Sequence, residues 1–284
     1  MSRKKELLNI INNTKDPMLR RLYTAAYITK GLKDSDINIV MVGGSAVEFY
    51  SAANYMTHDI DFVITSTDGV KEVMTNLGFI NDNAVWSIPG TDMIVEFPKG
   101  PLDGSWDKVK TVETLYGQVT VIGIEDIILD RASGVQFWND SDEWVKFLMI
   151  SHQDNIDFDY MNKRAKELMC VETIENIQKW VYEQKFLQSI SQAPEIKNVS
   201  KHSNSKTLYV AYAKEILKDV AGHWNNDLDY KIAKKMLIDG FEEYQVNCAL
   251  KYSVNKDIKP REITKNLLKD KDVIKAINDK DRGR

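Results

Sequence analysis

Asp59 and Asp61 stand one residue apart in the run Asp59-Ile60-Asp61-Phe62-Val63-Ile64, and Asp59 follows Ser45 of Val42-Gly43-Gly44-Ser45-Ala46-Val47-Glu48 by fourteen residues. Acids at i and i+2 of a strand share one face, where together they can hold divalent cations. A glycine pair opening a helix offers backbone N–H groups to a phosphate, so Gly43, Gly44 and Ser45 are the candidate cradle for a triphosphate. Phosphoryl and nucleotidyl transfer use both parts. Cations about 4 Å apart neutralise the phosphate oxygens and hold the attacking and leaving oxygens in line. Either half alone is weak, because Gly-Gly-Ser serves any tight turn and an Asp-x-Asp pair is common on surfaces. Their succession is the signal.

Mg²⁺ takes hard oxygen ligands, so a pair of ions requires two or three converging carboxylates. Glu96, in the strand-like run Asp92-Met93-Ile94-Val95-Glu96-Phe97, is flanked by apolar residues where an unmatched acid is costly. It is the expected third ligand, with Asp92 as fallback and a solvent-facing edge-strand Glu as the plain alternative. Asp59, Asp61 and Glu96 are therefore the predicted catalytic and metal-binding set, holding two Mg²⁺ ions, with Mn²⁺ as a substitute. Thr57 is expected to hydrogen-bond beside them, and His58 to face the other way.

These residues need a strand to carry each acid and a turn to carry the glycines. Helical spacing predicts two helices over 4–32, broken at Asp16-Pro17. A strand follows over Ile37–Val42, then a helix from about Ser45 to Ala53, where Ser45-x-x-Glu48 fits a capping box. Asp59–Ile64 is the next strand, and Val70–Leu77 a helix stopped by Gly78. Strands are expected at Phe79-Ile80, Ala84–Ile88, Asp92–Phe97 and Gly117–Ile122, and helices at Glu125–Phe137 and Asp142–His152. The fold class is α/β (α+β): a mixed sheet flanked by helices, with an all-helical C-terminal region. Residues 1–191 are read as the first domain, the polar stretch 192–205 as a linker, and 206–284 as a helical accessory domain. Helices in the last are expected near Thr207–Val220, Asp229–Ile238, Glu243–Tyr252 and Pro260–Ile277. Trp138, Trp144, Trp180 and Trp224 fall in helical patterns and are expected in the core.

A net charge of −4 argues against a generally basic nucleic-acid binder. The tail from Lys256 to Arg284 does carry ten Lys/Arg against six Asp/Glu, so nucleic-acid binding through that tail is an alternative function. A nucleotide-binding module that has lost catalysis is another. Cys170 and Cys248 are far apart and suit a reducing compartment, and the scattered His152, His202 and His223 suggest no ligand cluster. No apolar run approaches the ~18 residues of a membrane span, and the start lacks a signal peptide's apolar core. The expectation is a cytoplasmic protein with no membrane partner.

Across the glycine turn, the aspartate pair and Glu96, the chain resembles the nucleotidyltransferase superfamily that includes DNA polymerase β and the minimal nucleotidyltransferases. It is similar in particular to bacterial and archaeal stand-alone proteins of the AbiEii-like type. The likeness lies in Gly43-Gly44-Ser45-Ala46-Val47-Glu48-Phe49-Tyr50, in Asp59-Ile60-Asp61-Phe62-Val63, in Val95-Glu96-Phe97-Pro98, and in a helix opening Glu125-Asp126-Ile127-Ile128-Leu129-Asp130-Arg131. It covers residues 20–155. The resemblance implies a mixed sheet with the active site at one edge, Mg²⁺, and an NTP substrate such as ATP, GTP or CTP. It also implies that Arg131, where related toxins often carry Lys, meets the nucleotide phosphates; a salt bridge with a nearby acid is the alternative. The acceptor implied is tRNA, a protein or a small molecule. Some members are toxins of toxin–antitoxin systems, which would make an antitoxin a partner.

Overall fold

The structure is a computed structural model that describes residues 2–83, 85–200, 202–218, 228–253 and 258–282. The chain forms two compact units, Met1–Gln178 and Lys179–Arg284.

In the first unit, α1 (Arg3–Asn13) is capped by Ser2 and α2 (Pro17–Lys33) by Asp16, whose carboxylate accepts the Leu19 N–H. β1 (Ile39–Val42) runs directly into α3 (Gly43–Tyr50). The chain returns as β2 (Asp59–Ile64), antiparallel to β1 with Val42 opposite Asp61. After α4 (Val70–Leu77), Gly78 takes the left-handed conformation at φ +98 that ends the helix without strain. The hairpin of β3 (Ile80–Asp82) and β4 (Val85–Ser87) leads to β5 (Ile94–Glu96), which pairs parallel to β2. A second hairpin, β6 (Lys110–Thr114) and β7 (Gly117–Val121), closes the far side, with β7 parallel to β1. Among the described residues this is one mixed sheet in the order β3-β4-β5-β2-β1-β7-β6. Then come α5 (Ile124–Trp138), α6 (Glu143–His152), α7 (Phe158–Glu167) and the start of α8 (Val171–Ser191).

Alternation along the central strands decides what faces what. Ile60, Phe62 and Val95 are sealed in the core, which leaves Asp59, Asp61 and Glu96 on the opposite face. α2 packs on β7 and β1, α3 on β1 and β2, and α5 against α3, α6 and α7.

In this first unit the structure departs from the sequence reading at several points. β6 was not anticipated, because Lys110-Thr111-Val112-Glu113-Thr114 has one apolar residue and lies at the sheet edge, where little burial is demanded. The predicted Ser45–Ala53 helix begins at Gly43 and stops at Tyr50, since Ala52 and Ala53 turn at φ 49 and φ 64. Its capping box does not form: the residue before the first turn is Val42, with no side-chain cap, and Ser45 and Glu48 are bonded elsewhere.

The second unit is helical. It takes in α8 from Lys179 onward, then α9 (Ser205–Lys218), α10 (Leu228–Ile238), α11 (Glu243–Leu250), α12 (Pro260–Leu267) and α13 (Lys271–Arg282). Tyr209, Tyr212, Ile232, Met236, Val246 and Leu267 form its core, with Ala193 from the 192–205 stretch among them. The predicted single helix Pro260–Ile277 is two, because Asp270 turns its carboxylate to the Asp272 and Val273 N–H groups and starts α13. Ala84, Val220, His223 and Trp224 lie outside the described residues.

Candidate active site

The glycine pair is required by close approach. Gly43 sits at φ +58, and a Cβ there would run into the Asp61 carboxylate, 3.1 Å from its Cγ. A Cβ on Gly44 would stand 2.8 Å from Thr57 Oγ1 and 3.4 Å from the Tyr55 ring. The turn therefore lies flat against the acid-bearing strand, and the Gly44 N–H donates to the Asp61 carboxylate. Ser45 Oγ donates to the Asp59 carbonyl at 2.6 Å, tying α3 to the first residue of β2. Thr57 Oγ1 donates to Asp59 Oδ1 at 2.6 Å, so its expected place beside the acids is met.

Register completes the cluster. The parallel pairing of β2 with β5 sets Glu96 directly beside Asp61 and Ile94 beside Asp59. One carboxylate oxygen from each of Asp59, Asp61 and Glu96 lies within 4.8 Å of the others, and all three side chains are half-buried. Burial, then the neighbouring Asp59 and Glu96 charges, push the Asp61 carboxyl up to about 6. The Gly44 N–H and the positive charge of Arg131 pull it partly back. Arg131 thus stands near enough for its charge to reach Asp61, while its Nη2 pairs with Asp130 at 2.9 Å and its buried Nε has no partner. The salt-bridge alternative for Arg131 is what the structure shows, with Asp130 as the partner.

Not every candidate joins the cluster. Asp92 is held by Arg20 at 2.7 Å and is mostly exposed, outside the carboxylate group. The Ser45 hydroxyl is engaged with the Asp59 carbonyl, which leaves backbone N–H groups as what Ser45 can offer a phosphate. His58 is exposed. Trp138 is 79% exposed rather than in the core, because α5 ends there, beyond the packing of its neighbours. Trp144 and Trp180 are half-buried, and Trp144 packs edge-on against Tyr55 at 5.0 Å.

One partnership went unread in the sequence. Glu48 is buried and forms a two-point ion pair with Arg21 of α2, its Oε2 accepting from Arg21 Nε at 2.7 Å and its Oε1 from Arg21 Nη2. The signal was available: an acid inside Ala46-Val47-Glu48-Phe49-Tyr50 must be paired if that face is buried.

The donor set fits a hard divalent cation. It is all carboxylate oxygen, it converges from two adjacent strands, and its mutual repulsion would be relieved by positive charge. The chain matches no family model, and no curated protein matches it. A solved structure, that of the antibiotic-resistance factor ANT(2'')-Ia, is similar over 66% of this chain and 100% of that one, at 11% identity and a TM-score of 0.33. An overlap that loose carries no functional reading, which has to come from the site itself. Among the described residues no helix is long and apolar enough to cross a membrane.

Proposed function

We propose that the protein is a metal-dependent nucleotidyltransferase, moving an NMP from an NTP to an acceptor that is an RNA, a protein or a small molecule. The observation that carries this reading is the convergence of Asp59, Asp61 and Glu96 beneath the Gly43–Gly44 turn. In this reading the three carboxylates hold Mg²⁺, with Mn²⁺ as a substitute. The Gly43, Gly44 and Ser45 backbone and the Arg131 guanidinium receive the triphosphate. When bound, the metal supplies the positive charge that draws off electron density from the phosphate under attack.

The chain's own residues do the positioning. Ser45 and Thr57 fix Asp59 through its carbonyl and its carboxylate, so neither Asp59 group is free to swing. One of the three carboxylates assists in taking the proton from the acceptor hydroxyl. Arg131 offsets the negative charge gathered on that face. A toxin acting within a toxin–antitoxin pair is a biological setting consistent with this chemistry.

The test is incubation with each α-labelled NTP, Mg²⁺, and total cellular RNA and protein. The wild type is expected to label one class of acceptor. Asp59→Asn and Asp61→Asn each lower labelling by about a hundredfold or more, the scale expected when several kcal/mol of charge stabilisation is lost. Undiminished labelling by either variant refutes the assignment; nucleotide binding without labelling by the wild type supports a non-catalytic module instead.

A further inference from the structure

Three hydroxyl side chains border the Gly43–Gly44 turn, and two of them are committed. Ser45 Oγ donates to the Asp59 carbonyl and Thr57 Oγ1 to the Asp59 carboxylate, each at 2.6 Å. The third belongs to Tyr55. A Cβ on Gly44 would stand 3.4 Å from Tyr55 Cε1, the ring carbon next to the one that bears the hydroxyl, so the hydroxyl half of the ring lies against the turn. Among the described residues the Tyr55 hydroxyl has no hydrogen-bond partner, although the side chain is half-buried.

Tyr55 is held there from two sides. Its N–H donates to Ser51 Oγ at 3.0 Å, and the Asn54 side chain donates to the Ser51 carbonyl at 2.7 Å, which ties the segment to the end of α3. Ala52 and Ala53 turn the chain back through left-handed conformations at φ 49 and φ 64, which alanine keeps only where its surroundings fix them. From α6, the Trp144 indole meets the Tyr55 ring edge-on with centroids 5.0 Å apart, and Phe147 backs Trp144 in turn. The ring is anchored and its hydroxyl is left unused. The turn itself has fewer donors to offer than its sequence suggests, because the Gly44 N–H is spent on the Asp61 carboxylate and the Ser45 hydroxyl on Asp59.

The two glycines also set an order. A side chain on Gly43 would meet Asp61, and one on Gly44 would meet Thr57 and Tyr55, so the acids and Tyr55 flank successive residues of one turn. We propose that the Tyr55 hydroxyl donates a hydrogen bond to the terminal phosphates of the triphosphate substrate. This rests on the nucleotidyl-transfer reading and adds to it a side chain that meets the phosphates. A triphosphate whose reacting phosphate lies at the acids extends along the turn, past Gly43 to Gly44 and Tyr55. A phenol O–H on a phosphate oxygen is a charge-assisted hydrogen bond. Every NTP carries those phosphates, so Tyr55 holds the triphosphate without choosing the base.

Titration calorimetry with Mg²⁺ tests this on wild type and Tyr55→Phe, with ATP, GTP, CTP and UTP as ligands and tripolyphosphate as a competitor. Tyr55→Phe keeps the ring and its contact with Trp144 and removes only the oxygen. Each nucleotide that wild type binds is expected to bind Tyr55→Phe about tenfold more weakly, with tripolyphosphate weakened by the same factor and the denaturant midpoint unchanged. Equal nucleotide affinity in the two proteins overturns the proposal and leaves the transferase reading standing. A fall in the midpoint overturns it as well, because the hydroxyl would then serve the fold. So does tripolyphosphate that competes equally well in both proteins or in neither, because the contact would then lie away from the phosphates. A wild type that binds none of the four nucleotides defeats the transferase reading, and this proposal with it.

Discussion

At the start of α5, Glu125 and Asp126 are 4% and 2% exposed, and each meets donors. Glu125 Oε1 accepts the Asp157 N–H at 2.8 Å, while Asp126 accepts the Ser105 N–H at 2.9 Å and the Tyr160 hydroxyl at 2.7 Å. On β2 and β5, Asp59, Asp61 and Glu96 are less buried, yet they crowd one another. Burial raises the carboxyls of both Asp126 and Asp61. For Asp126, hydrogen-bond donors come next and oppose that rise, with Glu125 adding a smaller push upward. For Asp61, two acidic neighbours come next and add to it, ahead of the Gly44 N–H and Arg131 that oppose it. Acids surrounded by donors hold α5 to the loop before it and to α7. Acids surrounded by acids are held in place at a cost to the fold, which nearby positive charge would relieve. Glu48, matched by Arg21, belongs with the first kind although it sits on the same helix as the glycine turn.

The sharpest way to break this contrast is to remove one acid of each kind. Glu48→Ala strands the buried Arg21 guanidinium and is expected to cost about 3 to 5 kcal/mol, read by denaturant unfolding. A loss below 1 kcal/mol would mean that Arg21 finds water, and that the pair is not architectural. Gly43→Ala probes the border between the two kinds. An L residue at φ +58 costs about 1 to 2 kcal/mol, and its methyl displaces the Asp61 carboxylate, so stability and Mn²⁺ affinity should fall together. Unchanged Mn²⁺ affinity, measured by electron paramagnetic resonance, would remove Asp61 from the ligand set.

The smallest effect has the opposite sign. Asp61→Asn keeps an acceptor for the Gly44 N–H but removes the crowded charge. The metal-free variant should gain about 1 kcal/mol at pH 7, allowing for the water that reaches this half-buried group. The dependence on pH follows from the folded carboxyl near 6 against an ordinary value of 3.8. Between those two values the folded state binds more protons than the unfolded one, so metal-free wild type loses stability as pH rises through that window. Asp61→Asn lacks that slope: wild type and variant should match near pH 4 and diverge by pH 7. A variant less stable than wild type at pH 7 would place Asp61 among the architectural acids.

Sequence alone carried much of this site, and for identifiable reasons. β2 spans Asp59–Ile64 as predicted, because its acids and apolar residues alternate cleanly. Glu96 was found because an acid inside an apolar strand needs a reason to be there, and the β2–β5 register supplies it. Much of what escaped was decided by contacts between distant segments. Glu48 looked like a local cap because its true partner, Arg21, is on another helix. β6 is a strand because β7 pairs with it, not because its own residues demand burial. Trp138 matched a helical stripe, but periodicity cannot tell where the neighbours of a helix end. In the second unit, Asp270 divided a helix whose apolar spacing continues across the break.

The pairing of Asp61 with Glu96 joins strands separated by α4 and the β3–β4 hairpin. Pleating fixes the phase of this match but not its arc length. Residues 65–93 are therefore free to lengthen or shorten at their turns over evolution, while a single residue gained or lost inside β5 would swing Val95 out to the acids and drive Glu96 into the core. Drift along this stretch is bounded by parity rather than by size.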